Sequence, residues 1–209
     1  MGDPTQIGDT ARSFNDRGAF PLSLLVAGLV IFLGVHLVPV FPRMRERLRR
    51  RMGDGRYKLL FTLASVAGLA LIILGFANAP ATPRVFAPFP AAIAAAPLAV
   101  TLAIILFAAA NMRGYLRDKL KHPMLLGLMI WATVHLLANG DLRGTLLFGA
   151  FLAYAVIDVI AAGQRPVTRT FVPAARFDVM AIVGGVAVAV AVMTLHRPLF
   201  GVPVVSFGV

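Results

Sequence analysis

The chain has 209 residues, of which 59% are hydrophobic and only 14% charged, and its mean hydropathy of +0.83 lies far above that of a water-soluble domain. The formal charge of +11 does not imply a nucleic-acid partner, because such binding needs a soluble basic face with polar or aromatic readers, and neither is visible. Cysteine is absent, which excludes disulfides, thiolate-held metals, iron–sulfur clusters and covalently attached c-type haem.

Residues 1–20 hold Asp3, Asp9, Arg12, Asp16 and Arg17 without a basic region leading to a small-residue cleavage site. They read as a polar N-terminal tail rather than a signal peptide. Residues 21–209 read as a single transmembrane helical domain. Six apolar stretches in it are long enough, or nearly so, to cross roughly 30 Å of hydrocarbon. They run from Pro21 to Val40, Tyr57 to Ala77, Pro88 to Asn111, Pro123 to Asn139, Leu142 to Ala162 and Val179 to Leu195. Asn139-Gly140-Asp141 is a tight-turn signal between the fourth and the fifth. The predicted fold is therefore an all-α membrane protein, a bundle of about six transmembrane helices.

Charge orients the bundle. Arg43, Arg45, Arg47, Arg49, Arg50, Arg51, Arg56 and Lys58 follow the first span; Arg113, Arg117, Lys119 and Lys121 follow the third; Arg165, Arg169 and Arg176 follow the fifth. These intervals carry fifteen of the twenty basic residues and are expected to be cytoplasmic, facing anionic lipid, with both termini on the other side. The run from Arg43 to Arg51 reads as an amphipathic surface helix. Its arginines could grip lipid phosphates or haem propionates, or simply set topology.

Ionisable groups at membrane depth are the natural candidates for function, because an unpaired one is costly there. His36 lies in the first span, His135 in the fourth and Asp158 near the basic end of the fifth, while His122 opens the fourth and His196 ends the sixth. By residue count the backbones of His36 and His135 differ in depth by about 12 Å, and side chains lean toward their own helix N-terminus. On antiparallel helices the two imidazoles are therefore expected to converge, as axial ligands of a haem iron would, with Gly34, Ala132 and Ala138 leaving room for a porphyrin. The alternative is that each histidine hydrogen-bonds a carbonyl or hydroxyl of a neighbouring helix. Trp131 could stack on a porphyrin or polyene, or merely pack. Asp158 could carry a proton, or pair with Arg165 or a polar neighbour. One glutamate and four histidines are too few for a carboxylate or histidine-box di-iron centre, and no nucleotide-binding loop or nucleophile elbow is present.

Three segments carry a resemblance. Gly34-Val35-His36-Leu37-Val38-Pro39, the basic loop ending Arg51-Met52-Gly53-Asp54-Gly55-Arg56-Tyr57, and His122-Pro123-Met124-Leu125-Leu126-Gly127 running on through Trp131 and His135 to Asp141 together resemble the NnrU family of bacterial inner-membrane proteins, most strongly over residues 22–165. The resemblance implies a multi-pass protein of the bacterial inner membrane with periplasmic termini and a role linked to denitrification or nitric oxide. Relatives in plants and cyanobacteria isomerise 15-cis-zeta-carotene with a b-type haem. Carried over, their axial histidines fall on His36 and His135; His122 and Trp131 are further candidates for lining a pocket. A haem-dependent cis–trans isomerase is thus one expectation, with an apolar polyene or a diatomic gas as ligand. Those isomerases have a cysteine, implicated as an alternative iron ligand, where this chain has Ala132. That departure leaves a bis-histidine site open but speaks against ligand switching. The His122-Pro123 element followed by Gly127 is also similar to isoprenylcysteine carboxyl methyltransferases, which makes S-adenosylmethionine-dependent methyl transfer the alternative.

Overall fold

In the computed structural model, secondary structure is described for residues 4–79, 83–164 and 171–200, and side chains for 20–79, 83–164 and 171–198. Eight helices follow one another among these residues: α1 (Pro4–Val40), α2 (Pro42–Met52), α3 (Asp54–Asn78), α4 (Pro90–Ala110), α5 (Tyr115–Leu120), α6 (Pro123–Asn139), α7 (Leu142–Gly163) and α8 (Ala175–Phe200). Five are long and apolar enough to cross a membrane: α1 from Phe20 onward, α3, α4, α7 and α8 up to Pro198. The sixth expected span is α6, largely apolar but only 17 residues long, or about 26 Å. An all-α membrane protein is the fold. Exposed aliphatic side chains are many, such as Leu59, Leu63 and Val66 on α3 and Val183, Val186 and Val190 on α8, and among the described residues no charged or amide side chain is buried. Water would not tolerate that pattern, and hydrocarbon requires it.

The stretch read as a tail enters α1, which begins at Pro4. Arg165 and Arg169 lie outside the described residues. The chain divides into two compact units: residues 1–84 with 141–147, and 85–140 with 148–209.

In the first unit α1 and α3 meet along glycines. A Cβ on Gly28 would lie 2.6 Å from the Ile72 nitrogen, and one on Gly68 would lie 2.8 Å from the Phe32 nitrogen. Such approach maximises dispersion contact, the main attraction left between helices when lipid is as apolar as leucine. Between them α2 is the expected amphipathic basic helix. It starts on Pro42, ends on Arg49, Arg50 and Arg51 where cations complement the helix dipole, and turns at Gly53, whose φ of 80° suits glycine.

In the second unit α4 is flanked by two glycine contacts. Gly127 of α6 lies against the Ala103 carbonyl and the Phe107 ring, and Gly185 of α8 lies against Ile105. Helix α5 falls in a stretch read only as a basic interval. Its exposed N-terminus is closed from far along the chain: the Asp178 carboxylate accepts the Tyr115 N–H at 2.8 Å and the Leu116 N–H at 2.9 Å. Gly140, at φ 72°, terminates α6 in the left-handed conformation that the turn signal anticipated.

Candidate functional site

His36 sits one turn before the end of α1, in the first unit. Its Nδ1 is 2.6 Å from the carbonyl oxygen of Phe32, four residues back. A carbonyl oxygen only accepts, so Nδ1 is the donor and the imidazole lone pair falls on Nε2. The ring packs against Phe32 at 4.2 Å between centroids and Phe61 of α3 at 5.2 Å. Gly34 is exposed and a Cβ built on it meets nothing within 4 Å, but two residues along a helix it faces away from the imidazole.

His135 repeats this arrangement in the second unit, one turn before the end of α6. Its Nδ1 donates to the Trp131 carbonyl at 2.8 Å, which again leaves the lone pair on Nε2. The ring lies 5.1 Å from Trp131 and 4.8 Å from Phe148. Trp131 meets Phe148 and Phe151 edge-on at 5.1 and 5.7 Å, so the lone tryptophan anchors an aromatic wall beside the imidazole. Asn139 finishes the turn by donating Nδ2 to the His135 carbonyl at 2.7 Å. Ala132 is fully buried, so the room expected there is already filled.

Both histidines thus bond a carbonyl of their own helix. His122 is the N-cap residue of α6, and no hydrogen bond from its side chain caps the helix; its backbone carbonyl accepts the Leu126 N–H at 3.2 Å. Thirteen residues, about 20 Å of helix, separate it from His135, too far for the two to share a pocket. Asp158 accepts the Tyr154 hydroxyl at 3.2 Å, the polar-neighbour reading for that group.

One residue gains a place that the sequence did not give it. Helices α6 and α8 both run antiparallel to α4 and touch it at the same level, through Gly127 and Gly185. From there α6 climbs eight residues to His135 and α8 eleven to His196, so the two differ in depth by about one turn. His196 lies within electrostatic range of His135. Only the helix-to-helix register, which is invisible in the one-dimensional pattern, brings them level.

Among the described residues, no three His, Asp or Glu side chains gather as a metal cage. What these residues offer is single imidazoles, each with its Nδ1 bonded to a backbone carbonyl. That donor set suits a metal whose remaining ligands come from its own macrocycle.

Against known proteins, a family model described as NnrU protein matches residues 24–204. No curated protein and no solved structure matches the chain.

Proposed function

The chain belongs to the NnrU family, and we propose that it is a haem b protein of the bacterial inner membrane, with His36 and His135 as the axial ligands and a role in nitric-oxide-linked redox physiology or redox isomerisation of a polyene such as 15-cis-zeta-carotene. The observation that supports this reading is the shared geometry: both imidazoles place Nδ1 on the carbonyl four residues back, at 2.6 and 2.8 Å, which makes Nε2 the nitrogen that would meet an iron. The carbonyl bond also fixes ring rotation. Phe32 and Phe61 around His36, and Trp131 and Phe148 around His135, supply flat apolar surfaces and keep water away. Bound there, haem would supply an iron that changes oxidation state and, with one axial position open, accepts a diatomic gas or a double bond.

The test is optical. Detergent-purified protein, expressed with ample haem, is expected to show a Soret band and a reduced-minus-oxidised spectrum of six-coordinate low-spin haem. His36→Ala or His135→Ala alone should convert it toward a high-spin five-coordinate form, and the double substitution should abolish binding. Absence of a Soret band in the wild type, or full haem retention in the double variant, defeats the proposal. S-adenosylmethionine at about 100 times a methyltransferase's Kd would add roughly 2.7 kcal/mol to stability; we expect no shift.

The same reading puts the basic intervals in the cytoplasm and both termini in the periplasm. Alkaline phosphatase, active only after export, should be active when fused after Val209 and inactive when inserted after Gly53. The reverse pattern would invert the topology.

A further inference from the structure

A cavity of about 320 Å³ lies in the first unit where α1 ends and α3 begins, lined by Pro39, Arg45, Tyr57, Lys58, Phe61 and Thr62. Two of these are cations brought from different helices, Arg45 from α2 and Lys58 from α3. Lys58 is 2.6 Å from Asp54, but Asp54 also takes Arg49 at 2.6 Å, so one carboxylate stands among three cations and the local charge stays positive. Tyr57 contributes the second feature. It is only 9% exposed, and its hydroxyl is buried with no hydrogen-bond partner. Buried hydroxyls nearly always have one. A ligand in the cavity that this ring lines can provide the acceptor.

The lining defines the ligand. Arg45 presents a fork of donors suited to a phosphate, Lys58 a point charge, and Tyr57 one further O–H; Pro39 and Phe61 add an apolar flank. Level matters as well. Val40 is the last residue of α1, and Tyr57 and Phe61 lie in the first two turns of α3. The cavity therefore opens where two hydrocarbon-length helices leave the apolar layer, which is the level of lipid phosphates. We propose that this cavity binds a phosphate diester anion, that of a phospholipid headgroup on the basic side of the membrane. The haem reading is not required for it.

The full chain in detergent is titrated with dioctanoyl phosphatidylglycerol, with inorganic phosphate and with dioctanoylglycerol, which has the same chains and no phosphate, and occupancy is read by native mass spectrometry. One phosphatidylglycerol is expected to bind. Arg45→Ala and Tyr57→Phe should each weaken it about tenfold, the value of one hydrogen bond to a charged group, while Arg47→Ala, on the same helix but outside the lining, should leave it unchanged. Inorganic phosphate binding as tightly as the lipid would uphold the anion site and assign it to a water-borne phosphoryl group. Equal binding of dioctanoylglycerol, or wild-type affinity in Tyr57→Phe, overturns the proposal. So does loss of haem from Arg45→Ala or Tyr57→Phe with lipid affinity intact, which would give the cavity to cofactor carboxylates.

Discussion

Gly68→Val is expected to lower the stability of the detergent-solubilised protein by roughly 3 kcal/mol or more, the upper range for overpacking. The reason lies in what a new side chain would strike. A Cβ at Gly68 comes within 3.0 Å of the Phe32 nitrogen, Cα and Cβ; one at Gly28 strikes the Ile72 nitrogen and the Gly68 carbonyl; one at Gly75 strikes the Leu25 backbone. Backbone atoms cannot swing aside as a flexible side chain can. Relief requires the helices to separate, which exposes Leu25 and Ile72, now 0% and 5% exposed, and forfeits the dispersion contacts that hold α1 to α3. Gly34→Ala is the control: the space around Gly34 is empty, and alanine should favour the helix by about 0.5–1 kcal/mol. Equal unfolding midpoints for the two variants, in a denaturing-detergent titration, would show that the close contact is not what joins these helices. The effect reaches the candidate site. Phe32, the residue that Gly68 touches, gives its carbonyl to His36 Nδ1, and Phe61 on the opposite helix flanks the same ring. Splaying α1 from α3 should therefore weaken haem retention without touching an axial ligand.

Apolar run length made the membrane fold legible, since hydrocarbon thickness imposes its own ruler on any spanning helix. Ends of α6 and α7 were readable from Pro123 and the Asn139-Gly140-Asp141 turn because breakers and caps act locally. What stayed hidden depends on partners remote in sequence. Helix α5 is only six residues long, and the carboxylate that closes its N-terminus arrives from Asp178, more than sixty positions later. His36 and His135 stood out as polar intruders in apolar helices, but their common tautomer follows from χ angles, which no residue pattern states. His196 looked like a helix end, and only the level at which Gly127 and Gly185 meet α4 brings it to within about one turn of the depth of His135. Arg143 looked like one of the few charges left on the sparsely basic side. In the structure its guanidinium binds a carboxylate and two backbone carbonyls.

Arg143→Met should destabilise the first unit by roughly 2–3 kcal/mol, from the loss of charge-assisted hydrogen bonds and the groups left behind. Its guanidinium reaches Asp141 at 3.1 Å through Nε and the carbonyls of Phe76 and Ala79 at 3.3 and 3.0 Å through Nη1, and it lies 4.8 Å over the Phe76 ring. Those carbonyls close the C-terminal end of α3, where a helix has no acceptor partners of its own and where a cation complements its dipole. Asp141 is divided between two tasks: Oδ2 takes Arg143, while Oδ1 accepts the Gly144 N–H at 3.0 Å and so starts α7. Arg143 is 29% exposed and Asp141 24%, enough shielding for the bonds to exceed a surface ion pair yet open enough for water to replace part of what is lost. Arg143→Lys separates charge from shape. A single ammonium cannot span the carboxylate, two carbonyls and a ring face at once, so about half of the loss should remain despite the retained charge. If the lysine variant instead matches wild type, the contribution is electrostatic alone. A double-mutant cycle with Asp141→Asn measures the pair directly, and a coupling below about 0.5 kcal/mol would reduce the junction to an ordinary solvated contact.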